Sequence, residues 1–463
     1  MNDMNNTLKE QMIQELSALV AIPSVTDDRG ACSRALEQVL DLARSLGLEA
    51  RSVCDGQVGE IEIGEGDETV AVLVHLDVVP PGIPENWATD PFTLTRKDGT
   101  MFGRGVHDDK GPLIACLFAM AALQDYGRQP AAAQPLRKKL RMIIGTREET
   151  DWEDIYQYTR EHSLPDYGFT PDGDFPICIA EKGILELDFF VPYAPGLCDG
   201  WHLTAIESGT MNNTVPGRAS CQMSLYRNGQ VTETRTLQSA GKSIHSGEPE
   251  SGENAIWPLI DQIEAMEPAG SGAVGTGPAP SSAPEALRLL REKFADPWGS
   301  PLGIENESEY YQGEYVGKNT ICVTRLERKG EDLWFHVDIR YTCGTDPKAL
   351  QQILTEQVQP LGGRVTEFID MPPAFVRSDR SFIRILQEAY REHTGNDAPC
   401  LSSTGGTYAQ AMPNIVTFGP TFPDKEDPCH EENEFMTEDC LMQIYEIYLT
   451  ALQKLSASEE PLR

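Results

Sequence analysis

The chain has no Cys-x-x-Cys pair, and its eleven cysteines stand singly from Cys32 to Cys440. A scattered, odd set of thiols excludes a disulfide framework and a zinc knuckle, and reads as reduced core residues. Long apolar runs are also missing, since no stretch reaches the roughly 18 residues that a membrane span needs. The opening Met-Asn-Asp-Met-Asn-Asn carries no basic segment leading into an apolar one, so a cytosolic protein is expected. Positive charge is scarce: Lys and Arg number 38 against 72 Asp and Glu, a formal net charge of -34. Nucleic acid and anionic membrane would be repelled rather than neutralised. The acidic excess serves solubility first; its second reading is attraction of cationic substrates and divalent metals.

What is present is a globular mixture, 40% hydrophobic and 24% charged, unlike the composition of a disordered chain. At 463 residues the chain exceeds one ordinary core, and two domains are expected. Leu8, Met12, Ile13, Leu16, Leu19 and Val20 recur at helical spacing, as do Leu36, Val39, Leu40, Ala43 and Leu46, with Gly47 placed to end that helix. Thr69 to Val79 is an almost unbroken apolar run rich in valine, the pattern of a strand buried on both faces. Leu113 to Leu123, behind Pro112, is apolar all round and predicts a buried helix. Leu140 to Gly145 predicts another buried strand. Helices alternating with buried strands imply a parallel or mixed sheet in an α/β domain.

After Gly183 the texture changes. Strand-like segments run from Ile184 to Val191, Trp201 to Ile206, Ala219 to Leu225 and Thr234 to Gln238, followed by a helix from Asn254 to Met266. Pro268 to Pro284, rich in Gly, Ala, Pro and Ser, reads as a surface loop. A second set follows: a helix from Glu285 to Phe294, strands from Thr320 to Arg325 and Leu333 to Ile339, a helix from Pro347 to Val358 and a strand from Arg364 to Phe368. The two sets look like a loose internal duplication of one α/β unit. From Ser381 the first texture returns, with a helix to His393, a strand from Ile415 to Phe418 and a helix from Glu438 to Leu455. The expected architecture is a catalytic domain made of residues 1–183 and 377–463, with residues 184–376 inserted.

His75 and Asp77, in HLDVVP, lie at the carboxyl end of the first buried strand, the edge at which α/β sheets bind ligands. A carboxylate two residues on can hold an imidazole tautomer, although an isolated His-x-Asp is more often structural. Asp108 and Asp109, in GRGVHDDKGP, taken alone read as helix caps. Glu148 and Glu149 follow the second buried strand in GTREET, where neighbouring carboxylates repel unless solvent or a cation intervenes. Asp172, in TPDGDFP, resembles a turn residue, and His430, in CHEENE, again lies beyond a strand. Cys429 beside it could act as a ligand, but oxygen and nitrogen donors already complete a site. Two histidines and several carboxylates at strand exits suit zinc, manganese or cobalt. A carboxylate can bridge two such ions about 3.5–4 Å apart, and the pair would make hydroxide from a shared water near neutral pH.

HLDVVP, GRGVHDDKGP, GTREET, PDGDFP, GGTYA and the CHEENE segment together resemble the M20 metallopeptidase family, which contains PepV-type dipeptidases, carnosinases and carboxypeptidase G2. The long insertion and the PDGDFP form are most similar to the PepV-type branch. The resemblance implies a zinc-peptidase-like α/β catalytic domain, a mixed sheet flanked by helices, carrying an inserted α/β lid domain. It implies a dipeptidase with two divalent metal ions, zinc first, with manganese or cobalt as alternatives. His75 and Asp172 would bind one ion, Glu149 and His430 the other, and Asp108 both, with Asp77 orienting His75. Glu148 matches the general base, which takes a proton from the bridging water and returns it to the leaving amine. The Asp108–Asp109 peptide bond would be cis.

In the lid, His245 (GKSIHSGEP) would steady the oxyanion, while Asn213 (NNTVP) and Arg340 (VDIRY) would hold the substrate. Arg340 suits a terminal carboxylate gripped through two hydrogen bonds. Gly405, Gly406 and Thr407 would line the cleft. In the PepV-type branch the doubled lid replaces contacts from a second subunit, implying a monomer that acts on a small dipeptide or acylated amino acid. Some residues depart from the pattern: Gly217 stands where a carboxylate is common, Arg147 where an acidic residue often precedes the glutamate pair, and the surroundings of His245 differ. These departures bear on specificity, not on the metal centre. An N-acyl amino acid deacylase of the acetylornithine or succinyl-diaminopimelate type shares the metal motifs and is the alternative. A non-catalytic binding protein would lack a ligand or the base, and neither is missing.

Overall fold

The computed structural model describes residues 2–127, 136–193, 199–266 and 284–462. It divides into two compact units, Met1–Glu181 with Ala374–Arg463, and Lys182–Pro373. In the first unit the apolar run beginning at Thr69 forms the strand Thr69–His75, which pairs in parallel with Lys139–Gly145 on one side and Tyr167–Thr170 on the other. The strand stops at His75 rather than Val79. Leu76 still donates its N–H to Gly145 at 3.0 Å, but Val78 instead bridges Val25. Ile415–Thr417 pairs in parallel with Tyr167–Thr170, completing four neighbouring parallel strands. Antiparallel additions, Glu49–Val53 and Val58–Ile63 at one edge and Cys178–Glu181 with Ala374–Phe375 at the other, extend the sheet to nine strands, counting Leu401–Ser403.

Helices supply the covering layers. Lys110–Gly127 buries Leu113, Ile114, Leu117 and Met120 completely, each such side chain stabilising the fold by about 1.5–3 kcal/mol. It begins three residues before the apolar stretch, which puts Pro112 in its first turn. The helix Arg29–Ser45 is capped by Asp28, whose carboxylate accepts from the Ala31 N–H at 2.9 Å. It packs so closely on the strand Val58–Ile63 that a Cβ at Gly59 would stand 2.7 Å from Leu36. Two further helices, Ser381–Thr394 and Glu438–Ala457, share the same core.

In the second unit both expected sets of strands merge into one antiparallel sheet of seven strands. Their order is Gln230–Ala240, Arg218–Arg227, Gly200–Ser208, Thr320–Lys329, Asp332–Tyr341, Gly183–Pro192 and Arg364–Met371. Gly183–Pro192 alternates buried and half-buried positions, as a sheet with one covered face requires. The sheet's buried face shares one core with Leu259, Ile260, Leu287, Leu290, Leu350 and Leu354 from the helices Ile256–Glu264, Glu285–Lys293 and Pro347–Val358. The first of these is shorter than its expected span, because Asn254 turns its side-chain oxygen onto the Ile256 N–H at 3.0 Å and starts the helix there. The expected loop up to residue 283 lies outside the described residues. Among the described residues no helix is long and apolar enough to cross a membrane.

Candidate metal centre

The four parallel strands end at one edge of the sheet, and each leads into a segment that carries a candidate ligand. His75 is the last residue of its strand; Glu148 and Glu149 follow Lys139–Gly145, Asp172 follows Tyr167–Thr170, and the chain beyond Ile415–Thr417 runs on to His430. Parallel order puts all four carboxyl ends on the same side, where a crevice forms. Two of these strands approach closely at Gly168, where a Cβ would lie 2.2 Å from the Ala71 carbonyl oxygen.

Five side chains converge. His75 Nε2 lies 2.8 Å from Asp108 Oδ1 and 3.7 Å from Asp172 Oδ2. His430 Nε2 lies 3.1 Å from Asp108 Oδ2 and 3.0 Å from Glu149 Oε2. Asp108 therefore turns one oxygen to each imidazole. On the far side of its ring, His75 Nδ1 is 2.9 Å from the Asp77 carbonyl oxygen. That bond makes Nδ1 the donor and leaves Nε2 facing the carboxylates. The Asp108–Asp109 peptide bond is cis.

Asp77 reaches further than expected. Its carboxylate is 3.5 Å from His75 Nδ1, while its two oxygens accept the backbone N–H groups of Glu148 and Glu149, each at 3.1 Å. It thus fixes the glutamate pair as well as the histidine. Glu148 is held again through its carbonyl, which accepts from Trp152 Nε1 at 2.6 Å. Arg147, the departure from the acidic pattern, forms a two-pronged pair with Asp151, both contacts at 2.7 Å.

The electrostatics are those of crowded buried acid. Burial, then Asp172, pushes Glu148 well above the usual carboxylate range. Burial, then Asp108, raises Glu149 and pushes Asp172 up to about 8. Burial opposes ionisation of Asp108, but hydrogen bonds from His430 and His75 outweigh it and hold this carboxyl well below its ordinary value. Burial likewise works against the charge on His75, and the hydrogen bonds to Asp108 and Asp77 reverse that, raising the imidazole.

Further side chains support these residues, and one of them, Glu434, was not singled out in the sequence. Glu434 accepts the N–H groups of Gly105 (2.9 Å), His107 (2.7 Å) and Asp108 (3.1 Å) and pairs with Arg104 at 2.9 Å, so it shapes the loop bearing Asp108. Its place in CHEENE was a hint, but nothing there separates it from Glu431 and Glu432. Asp109 accepts the His75 N–H at 3.1 Å. Cys429 Sγ approaches Asp108 Oδ2 to 3.1 Å, beside the nitrogen and oxygen donors. Of the expected cleft loop, Thr407 donates through its N–H and hydroxyl, each at 2.9 Å, to Glu181, a buried carboxylate that also accepts from Thr417. Gly405 and Gly406 precede it in the same loop.

Asn213, His245 and Arg340 all belong to the second unit. The Asn213 carbonyl accepts the Ser246 N–H at 2.9 Å, and the Ser246 hydroxyl donates to Asp338. Arg340 grips the same carboxylate through Nε and Nη2, each at 3.0 Å. His245 Nδ1 accepts from the Gly247 N–H at 3.1 Å. At Gly217 a Cβ would stand 2.4 Å from the Ser243 hydroxyl, which would have to turn aside.

The model of the family described as Peptidase family M20/M25/M40 matches residues 71–454. YtjP of Bacillus subtilis (strain 168), which carries a provisional dipeptidase name, is 31% identical over 481 residues, covering 97% of this chain and 98% of its own. SH1171 of Staphylococcus haemolyticus (strain JCSC1435), named in the same way, is 29% identical over 477 residues, 96% of this chain and 97% of its own. Among solved structures, human carnosine dipeptidase 1 superposes with a TM-score of 0.61 at 16% identity, covering 98% of each chain. The dipeptidase Dug1p of Saccharomyces cerevisiae gives 0.59 at 15%, again covering 98% of each. At these identities the structural likeness establishes the fold.

Proposed function

The chain belongs to the M20/M25/M40 peptidase family of metal-dependent hydrolases, and on that premise we propose that it cleaves the peptide bond of dipeptides using two divalent cations, zinc first. The observation that carries this reading is Asp108, whose two oxygens face two different histidines at 2.8 and 3.1 Å. The donor set fits such a pair of ions. Imidazole and carboxylate suit zinc, manganese and cobalt, and a cation among Glu148, Glu149 and Asp172 relieves the repulsion that crowds them. His75 and Asp172 would hold one ion, Glu149 and His430 the other, and Asp108 both. What such ions supply when bound is a lowered pKa for a shared water and polarisation of the scissile carbonyl.

The chain's own residues do the rest. Glu148, anchored through its backbone by Asp77 and Trp152, takes the proton of the attacking water on its carboxylate and delivers it to the leaving amine. Gly405, Gly406 and Thr407 line the substrate from a loop pinned to Glu181. On the second unit His245 serves the oxyanion, and Asn213 and Arg340 hold the substrate's polar ends. The provisional dipeptidase names of relatives that align over almost the whole chain support this substrate class. The active form is a monomer working in the cytosol, a compartment that suits the buried thiols Cys32, Cys116 and Cys178.

The test is turnover of a panel of dipeptides and their N-acetylated forms by metal-reconstituted protein and its Glu148→Ala variant. The variant should lose about 10²–10⁴-fold in kcat while its metal content stays that of the wild type. Undiminished turnover would remove Glu148 as the base. A preference for the acetylated forms would make the enzyme a deacylase instead.

A further inference from the structure

Away from the catalytic residues, a second set of metal-type donors meets at the edge of the first unit. Cys54 opens the short turn that follows the strand Glu49–Val53, and Glu161 and His162 end the helix Glu153–Glu161. One donor atom from each, the Cys54 thiol sulfur, a Glu161 oxygen and a His162 ring nitrogen, lies within 4.8 Å of the other two. Tetrahedral zinc, with bonds of about 2.3 Å to sulfur and 2.0–2.1 Å to nitrogen, places its ligands roughly 3.3–3.8 Å apart. The three groups need close by at most roughly 1.0–1.5 Å to seat an ion.

We propose that Cys54, Glu161 and His162 form a peripheral site for one thiolate-preferring divalent cation, of the zinc or cobalt class, separate from the catalytic pair. The set is held in place from several sides. Cys54 and Asp55 both adopt the left-handed backbone, at φ 52° and 54°, a region that non-glycine residues occupy seldom. The His162 ring stacks on Tyr158 at 4.7 Å with an interplanar angle of 11°, and the His162 backbone N–H donates to the Tyr158 carbonyl at 2.9 Å. The Gln157 amide donates to Glu161 Oε1 at 3.0 Å and to Asp55 Oδ2 at 3.3 Å, bringing a further carboxylate alongside. Cys54 is buried, His162 half-buried and Glu161 exposed, so the site has a shielded soft donor and an outward face. Sulfur, nitrogen and oxygen donors together select zinc or cobalt over magnesium and calcium. Three protein ligands leave a fourth position for water or another small ligand.

An ion there would tie the turn after Glu49–Val53 to the end of a helix that begins four residues beyond Glu149. It would act as a brace, not as a participant in hydrolysis. The experiment uses full-length protein loaded with cobalt, read by equilibrium dialysis and by the near-ultraviolet thiolate-to-cobalt absorption band. Wild type should bind one ion more per chain than Cys54→Ser or His162→Ala, and the band should vanish in both variants. Dipeptide turnover should be the same in all three. A band that survives Cys54→Ser would overturn the site. So would a band lost in Cys429→Ala, which would place the thiolate at the catalytic centre, or an equal ion count in wild type and both variants. Because the count difference is read rather than the total, failure here leaves the reading of the catalytic pair standing.

Discussion

Asp77 shows how much one side chain without substrate contact can decide. Fully buried, it orients the His75 ring with its carbonyl and receives the amides of Glu148 and Glu149 with its carboxylate. His75 and both glutamates thus share a single anchor. Asp77→Asn keeps the volume but weakens acceptance of two amides, and loss of such an outer partner typically lowers metal affinity about 10–100-fold. Competition against a calibrated chelator should show that loss for both ions with the far-ultraviolet spectrum unchanged. Affinity equal to wild type would mean that Asp77 only fills space. At this scale the convergence was readable by motif: His75, Asp108, Glu149, Asp172 and His430, each singled out in the sequence, come together in the structure. Glu434 was not singled out. Its work is to accept three N–H groups from residues more than 320 positions earlier, and no local pattern encodes a partner that distant.

Strands differ in how openly they declare themselves. Thr69–His75 was legible because a strand buried on both faces must be apolar at every position. Its neighbour Tyr167–Thr170 was not, being four residues long and containing Gly168, whose missing side chain lets it approach Ala71. The helix Glu153–Glu161 was equally obscure, with only Asp154, Ile155 and Tyr158 buried. In the second unit, pairing of Gly183–Pro192 with Asp332–Tyr341 sets His336 opposite Asp188, its Nδ1 2.8 Å from Asp188 Oδ1 and its Nε2 3.5 Å from Glu186 Oε2. Burial works against the imidazolium, but Glu186 and Asp188 prevail and raise the His336 pKa above its ordinary value. A folded-state pKa above the unfolded one stabilises fully below the unfolded value, about 6.5, and the contribution fades as pH rises through the folded value. Denaturant titrations from pH 6 upward should show wild type losing stability that His336→Asn does not lose. Parallel curves for the two proteins would refute the pairing as a source of pH dependence.

For the whole molecule, the ligands of the proposed ion pair all lie in the first unit, so metal affinity should feed into the stability of that unit. An ion at 100 times its dissociation constant adds about 2.7 kcal/mol. Exhaustive chelation should therefore lower the melting temperature and abolish turnover together, and zinc should restore both; a scan unmoved by chelation would argue against a folded-state metal centre. One topological detail reaches beyond catalysis. The chain leaves the first unit at Glu181 and re-enters at Ala374, and these two residues face each other across an antiparallel pair, with Ala180 opposite Phe375. Exit and return are a hairpin's width apart. Nearly two hundred residues hang from a seam that a tight turn could close, so the catalytic sheet would keep its register if that cassette were swapped for another, and lineages could trade substrate preference without redesigning the chemistry.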